Sequence, residues 1–183
     1  MNKLPLYFSL LFAGSSLATD FPQSGDVYLV NPNKQETRIG EVSFSEISGG
    51  KTSVNVTIDT EVFTEHFLSM RPFRCLEGDL EWFCYLEYPY DLHSIITQDD
   101  LSDLEYQLLF IRKKPSEFGI DAWNGLYYKL TLEQDGTISG KLLEGDLNSL
   151  QSPPSEKYAK PVDLEEFIPG DEAKRLFPTL RIY

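Results

Sequence analysis

The chain has 183 residues and a formal net charge of −13, from 29 Asp and Glu against 16 Lys and Arg. So large an acid excess excludes the basic footprint that nucleic-acid phosphates and anionic lipid surfaces require. Aromatic residues make up 13% of the chain, enough with the aliphatic residues to fill a core of ordinary size.

In chain order, Lys3 precedes an apolar run over 4–14, and Ser16-Leu17-Ala18 places small residues at the first and third of those positions. This pattern predicts a secretory signal peptide over 1–18, cleaved before Thr19. The run is shorter than the roughly twenty apolar residues that span a bilayer, so no integral membrane segment is expected. No cysteine stands at the cleavage point to take a lipid. The expected product, 19–183, is a soluble exported domain with 15 bases against 29 acids, a net charge of −14. The periplasm is its expected address, the extracellular space the alternative.

A strand over 26–30 leads across Asn31-Pro32-Asn33 to a hairpin. There Val42 and Phe44 alternate with polar residues, as do Val54, Val56 and Ile58, the period of strands with one wet face. Pairing Phe44 with Val54 and Val42 with Val56 keeps the apolar faces together and leaves a three-residue loop, Ser48-Gly49-Gly50, with Gly50 in the left-handed position. Next, Val62, Phe63, His66, Phe67 and Met70 share one helical stripe, with Asp59 or Thr60 as N-cap. Cys75 and Cys84 then face each other if 73–77 and 82–88 pair around Gly78-Asp79-Leu80-Glu81, which predicts a disulfide. Thr97 and Asp100 have capping-box spacing ahead of Leu101, Leu104 and Leu108, a second predicted helix, although 108–112 also reads as a strand.

Trp123-Asn124-Gly125 reads as a turn into a hairpin over 127–143, where setting Leu132 against Ile138 and Tyr128 against Leu142 leaves the loop Gln134-Asp135-Gly136. A Pro- and Ser-rich surface loop follows over 149–161. A short helix is expected over 171–177, stopped by Pro178, and 180–183 alternates like an edge strand. The whole predicts a single α+β domain, predominantly antiparallel β hairpins with two or three short helices.

Candidate chemistry concentrates in 77–105, which holds nine carboxylates and no Lys or Arg. With Trp82, Tyr88, Tyr90 and the later Trp123 it offers a ligand or partner face. Asp99, Asp100 and Asp103 are a candidate cation site, without the glycine and alternate spacing of an EF-hand loop. Two carboxylates from the same segment could serve a small secreted hydrolase, which needs two facing acids. The ordinary reading is helix capping and solvation. His66 falls on an apolar stripe, and Asp91, His93 and Ser94 are sequence neighbours rather than a triad assembled from separate segments. Arg71 and Arg74 stand beside the disulfide hairpin, placed to salt-bridge its acids.

The aromatic residue Tyr183 after an alternating segment suggests an outer-membrane barrel, but such a barrel needs an apolar outer band that these wet strands lack. No catalytic residue, metal or cofactor is assigned. The expectation is a non-enzymatic binding or envelope-associated module, its partner an envelope protein or a saccharide.

Overall fold

The computed structural model describes residues 20–183, so the export signal read at 1–18 lies outside the described residues. Twelve strands form one antiparallel sheet: β1 (Ser24–Val30), β2 (Glu36–Ser48), β3 (Lys51–Ile58), β4 (Thr64–Leu68), β5 (Arg71–Glu77), β6 (Trp82–Leu86), β7 (Ile95–Ile96), β8 (Leu109–Lys113), β9 (Gly125–Leu132), β10 (Ile138–Gly145), β11 (Ile168–Pro169) and β12 (Thr179–Ile182). Their spatial order is β4-β5-β6-β8-β9-β10-β12-β1-β2-β3-β7, with β11 added on β10.

All three hairpin registers follow from apolar alternation. Phe44 faces Val54 and Val42 faces Val56; Leu132 faces Ile138 and Tyr128 faces Leu142; Cys75 faces Cys84, and the two form a disulfide. The first turn is tighter than expected. Gly49 and Gly50 both take positive φ (62° and 72°) and close a two-residue turn whose twist suits the strands, while Ile47 is left out of the pairing as a bulge that restores the register. In the later hairpin Gly136, at φ 86°, takes the left-handed position.

The α+β expectation is overturned: the fold is an antiparallel β-sheet whose helical pieces are single turns. The stripe at 62–70 is instead one 3-10 turn, Thr60–Val62, followed by β4. Aromatic and β-branched residues suit a pleated strand, and β5 supplies a hydrogen-bonding edge that the isolated helical pattern cannot match. The capping-box pair closes a tight turn, with the Asp100 N–H donating to Thr97 Oγ1 at 3.1 Å. Helix survives only over Ser102–Glu105, because the following residues are drawn into β8 between β6 and β9. At 171–177 the N–H groups of Lys174 and Arg175 both reach the Asp171 carbonyl, making one turn before Pro178. The expected C-terminal edge strand is interior, with β12 lying between β1 and β10.

Strands β3 and β6 stand seven steps apart, which at about 4.8 Å per step would separate them by about 34 Å in a flat sheet. Their residues Val54 and Phe83 nevertheless share one core with Leu101, Leu104 and Leu108. The sheet therefore curls, and the segment around the helical turn fills the open seam. Gln107 ties the two sides. Its backbone carbonyl accepts from Tyr85 Oη on β6 at 3.2 Å, and its side-chain Oε1 accepts from the Val56 N–H on β3 at 3.1 Å. A second core on the convex side gathers Phe73, both cysteines, Ile111, Tyr127 and Phe167.

Candidate functional site

The acids that crowd one stretch of sequence are separated in space, and bases from distant segments meet them. Glu105, fully buried, accepts from Tyr127 Oη at 2.5 Å and the Leu130 N–H at 2.8 Å, with Lys129 Nζ 3.1 Å away. Desolvation first, and then the neighbouring Glu105 charge, hold the Tyr127 phenol far above its usual range. Glu81 accepts from the Leu176 N–H at 2.6 Å and lies 3.4 Å from Arg175, which also forks onto Glu144 at 2.7 and 2.8 Å. Asp103, 2% exposed, accepts from the Ile95 N–H at 2.9 Å and pairs with Lys160 at 2.7 Å. Asp91 pairs with Lys157 and Glu77 with His66.

The three residues of the candidate cation site are thus put to different uses. Asp103 is buried against Lys160, Asp100 is bonded to the backbone and hydroxyl of Ser102, and Asp99 is exposed. Hydrogen bonding by Ser102 is the main cause holding the Asp100 carboxyl below its usual range. Among the described residues no three His, Cys, Asp or Glu side chains are grouped as a metal ion needs. Asp91, His93 and Ser94 do not assemble either: His93 stacks on Tyr158 at 4.0 Å, and the Ser94 carbonyl accepts from the Val54 N–H.

The aromatic candidates divide as well. Trp82 is held between His66 and the Lys113 ammonium, each 4.2 Å from its ring. Tyr88 and Tyr90 donate their hydroxyls to the carbonyls of Ala159 and Leu150, each at 3.0 Å, and so fasten the Pro- and Ser-rich 149–161 segment across them. Trp123 is 69% exposed on a one-turn helix capped by Asp121.

A larger open hollow of about 630 Å³ lies between 20–23 and the β2–β3 hairpin; the concave site that gathers arginines with aromatic rings lies at the end of the disulfide hairpin, where the chain divides. Pairing between β5 and β6 stops at Arg74 and Tyr85, while β5 continues to Arg71 beside β4 alone. Beyond Leu86 the chain leaves the ladder, and a cleft of about 440 Å³ opens between the two branches. Backbone alternation makes this possible. The close Cys75–Cys84 pair, 3.9 Å between Cα atoms, is a non-hydrogen-bonded position, so Arg74 and then residue 72 direct their backbone groups toward the β6 side. Residue 72 is proline, which has no N–H to leave unpaired there.

Phe73 and Leu86 floor the cleft, Pro72 and Pro89 border it, and Tyr85 and Tyr88 complete its apolar wall. Its polar groups are Arg71, Arg74, Glu65 and Glu87. The Arg71 guanidinium lies 4.6 Å from the centre of the Phe73 ring. Among the described residues neither Arg71 nor Arg74 is in an ion pair, so the expected salt bridges to the hairpin's acids are not formed. Burial raises the Tyr85 phenol to about 12, and its hydroxyl is already given to Gln107, as that of Tyr88 is given to Ala159. Both tyrosines therefore offer ring rather than hydroxyl to the cleft.

Of the aromatic face read from sequence, the cleft takes in Tyr88 and leaves out Trp82, Tyr90 and Trp123. It adds Glu65, which sequence reasoning missed, and Tyr85, Glu87 and Pro89, which lie in the acidic aromatic segment but were not among its face residues. The usable signal was Pro72 inside a strand pattern, since a strand proline marks an edge or an interruption of pairing. Among the described residues no helix is long and apolar enough to cross a membrane. No protein-family model, curated protein or solved structure matches this chain.

Proposed function

We propose that this chain is an exported, non-enzymatic binding module that holds an envelope saccharide in the cleft between β5 and the segment after β6. The observation that carries this reading is a concave site of small-ligand size, about 440 Å³, in which two arginines free of ion pairs stand beside aromatic rings and prolines. Sugars present apolar C–H faces ringed by hydroxyls, and this mixture of rings, donors and carboxylate acceptors complements them. Export is supported by the N-terminal sequence over 1–18 and by the Cys75–Cys84 disulfide, which suits an oxidising compartment such as the periplasm. A carboxylate hydrolase built from 77–105 would have to do without Glu81, Asp103 and Glu105, which are each committed to buried partners.

Thermal unfolding of the exported protein against a panel of envelope oligosaccharides tests the reading. A ligand at a hundred times its Kd stabilises by about 2.7 kcal/mol, which for a protein of this size raises the midpoint by about 5–10 °C. The rise is expected to vanish when Arg71 and Arg74 are both replaced by alanine. A panel without any shift, or a shift that survives the double replacement, refutes the assignment.

A further inference from the structure

We infer that the cleft selects acidic saccharides, the sugar carboxylate being gripped by Arg71 and Arg74 and the hydroxyls by Glu65 and Glu87; this rests on the saccharide-binding reading above. The inventory of the cleft leads there. Its only side-chain donors of charge are the two guanidiniums, since the hydroxyls of Tyr85 and Tyr88 are spent on Gln107 and Ala159. Its acceptors are the two carboxylates and the outward carbonyl of Pro72. A matching ligand carries an anionic acceptor at one end and several donors at the other, on a flat apolar frame. A uronic acid has that composition; a neutral hexose lacks the anion.

Arg71 is prepared for this task. Stacking on Phe73 occupies the face of the guanidinium and leaves its edge, where all five N–H groups lie, free to fork onto a carboxylate. Arg74 stands three residues further along β5, so it enters the cleft from the opposite face of the strand, and its backbone is fixed because the adjacent Cys75 is covalently tied to β6. Charge balance decides between carboxylate and phosphate. Two arginines and two glutamates leave the cleft near neutral within a strongly acidic chain, so a monoanion is accommodated, whereas a phosphomonoester dianion meets the repulsion of Glu65 and Glu87.

Titration of the exported protein with glucuronate, glucose and glucose 6-phosphate, followed by NMR shifts of the Arg71 and Arg74 side chains and by calorimetry, tests the selection. Glucuronate is expected to bind at least about tenfold tighter than glucose, the usual worth of a charge-assisted fork, and tighter than glucose 6-phosphate. Arg71→Lys keeps the charge and loses the fork, and is expected to weaken glucuronate about tenfold more than it weakens glucose. If glucose equals glucuronate, or the phosphate ester is preferred, acid selectivity fails while saccharide binding stands. If none of the three sugars moves any resonance of the cleft, selectivity and the binding reading fail together.

Discussion

Replacement of Gln107 by alanine is expected to open the seam of the curled sheet. The Gln107 side chain accepts from the Val56 N–H at 3.1 Å and donates to the Asp103 carbonyl at 3.0 Å, doing the work of a missing ladder partner on β3. Alanine removes both bonds and leaves a half-buried N–H without an acceptor. A lost hydrogen bond with a stranded partner is worth about 1–3 kcal/mol, and a central figure of about 2 kcal/mol lowers the melting midpoint by about 4–8 °C in a chain of this length. Amide hydrogen exchange gives the local readout. Val56 is expected to lose protection beyond the global change, whereas amides in β10 and β12 follow global stability alone. Gln107→Glu keeps an acceptor for Val56 and is expected to restore its protection while losing the bond to Asp103. If Val56 exchanges no faster in Gln107→Ala than the β12 amides do, the seam is held by something else and the reasoning fails.

Reduction of the Cys75–Cys84 bridge, or its replacement by two alanines, is expected to lower stability by about 2–3 kcal/mol, as a bridge closing a short loop does; calorimetry with and without reductant measures it, and thiol labelling of the oxidised protein should find none free. Gly136→Val is expected to destabilise by about 1–2 kcal/mol, because φ is 86° there and a β-branched side chain resists it, while Gly136→Asn should cost much less; equal melting midpoints for the two would contradict the turn geometry. Tyr85 is protonated in the fold up to about pH 12, chiefly through desolvation, against about 10 when unfolded. The stability it contributes is full below pH 10 and is lost as pH rises toward 12, so the Tyr85 ring resonances are expected to report deprotonation in step with unfolding rather than before it. Lys160→Ala strips the partner from buried Asp103 and should make 149–161 the first site cut in limited proteolysis, with cleavage elsewhere refuting its role as fastener.

The elements legible from sequence were those whose partners are near in the chain. Val42, Phe44, Val54 and Val56 specify a register by themselves, because a one-residue slip would turn every one of them to water. The same logic placed Cys75 opposite Cys84. The stripe from Val62 to Met70 misled because His66 and Phe67 serve a strand as well as a helix, and only the presence of β5 decides between them. The acidic segment misled for a related reason: Lys129, Lys160 and Arg175 reach Glu105, Asp103 and Glu81 from 24, 57 and 94 residues downstream, beyond any local pattern. The cleft is a property of where pairing stops. Arg71, Phe73 and Arg74 were visible as residues, but the divergence that exposes them depends on β6 ending at Leu86.

The placement of β12 has a consequence for how the chain is made. Thr179–Ile182 lies between β1 and β10, so the first and tenth strands wait, without a shared neighbour, until about 150 further residues have followed β1. A chain emerging amino-end first during synthesis can close its early hairpins locally, but its sheet stays divided until this late strand slots in. Such long-range closure is slow. Cutting before Thr179 would leave two exposed strand edges in the middle of the protein, an invitation to aggregation rather than a slightly shortened product.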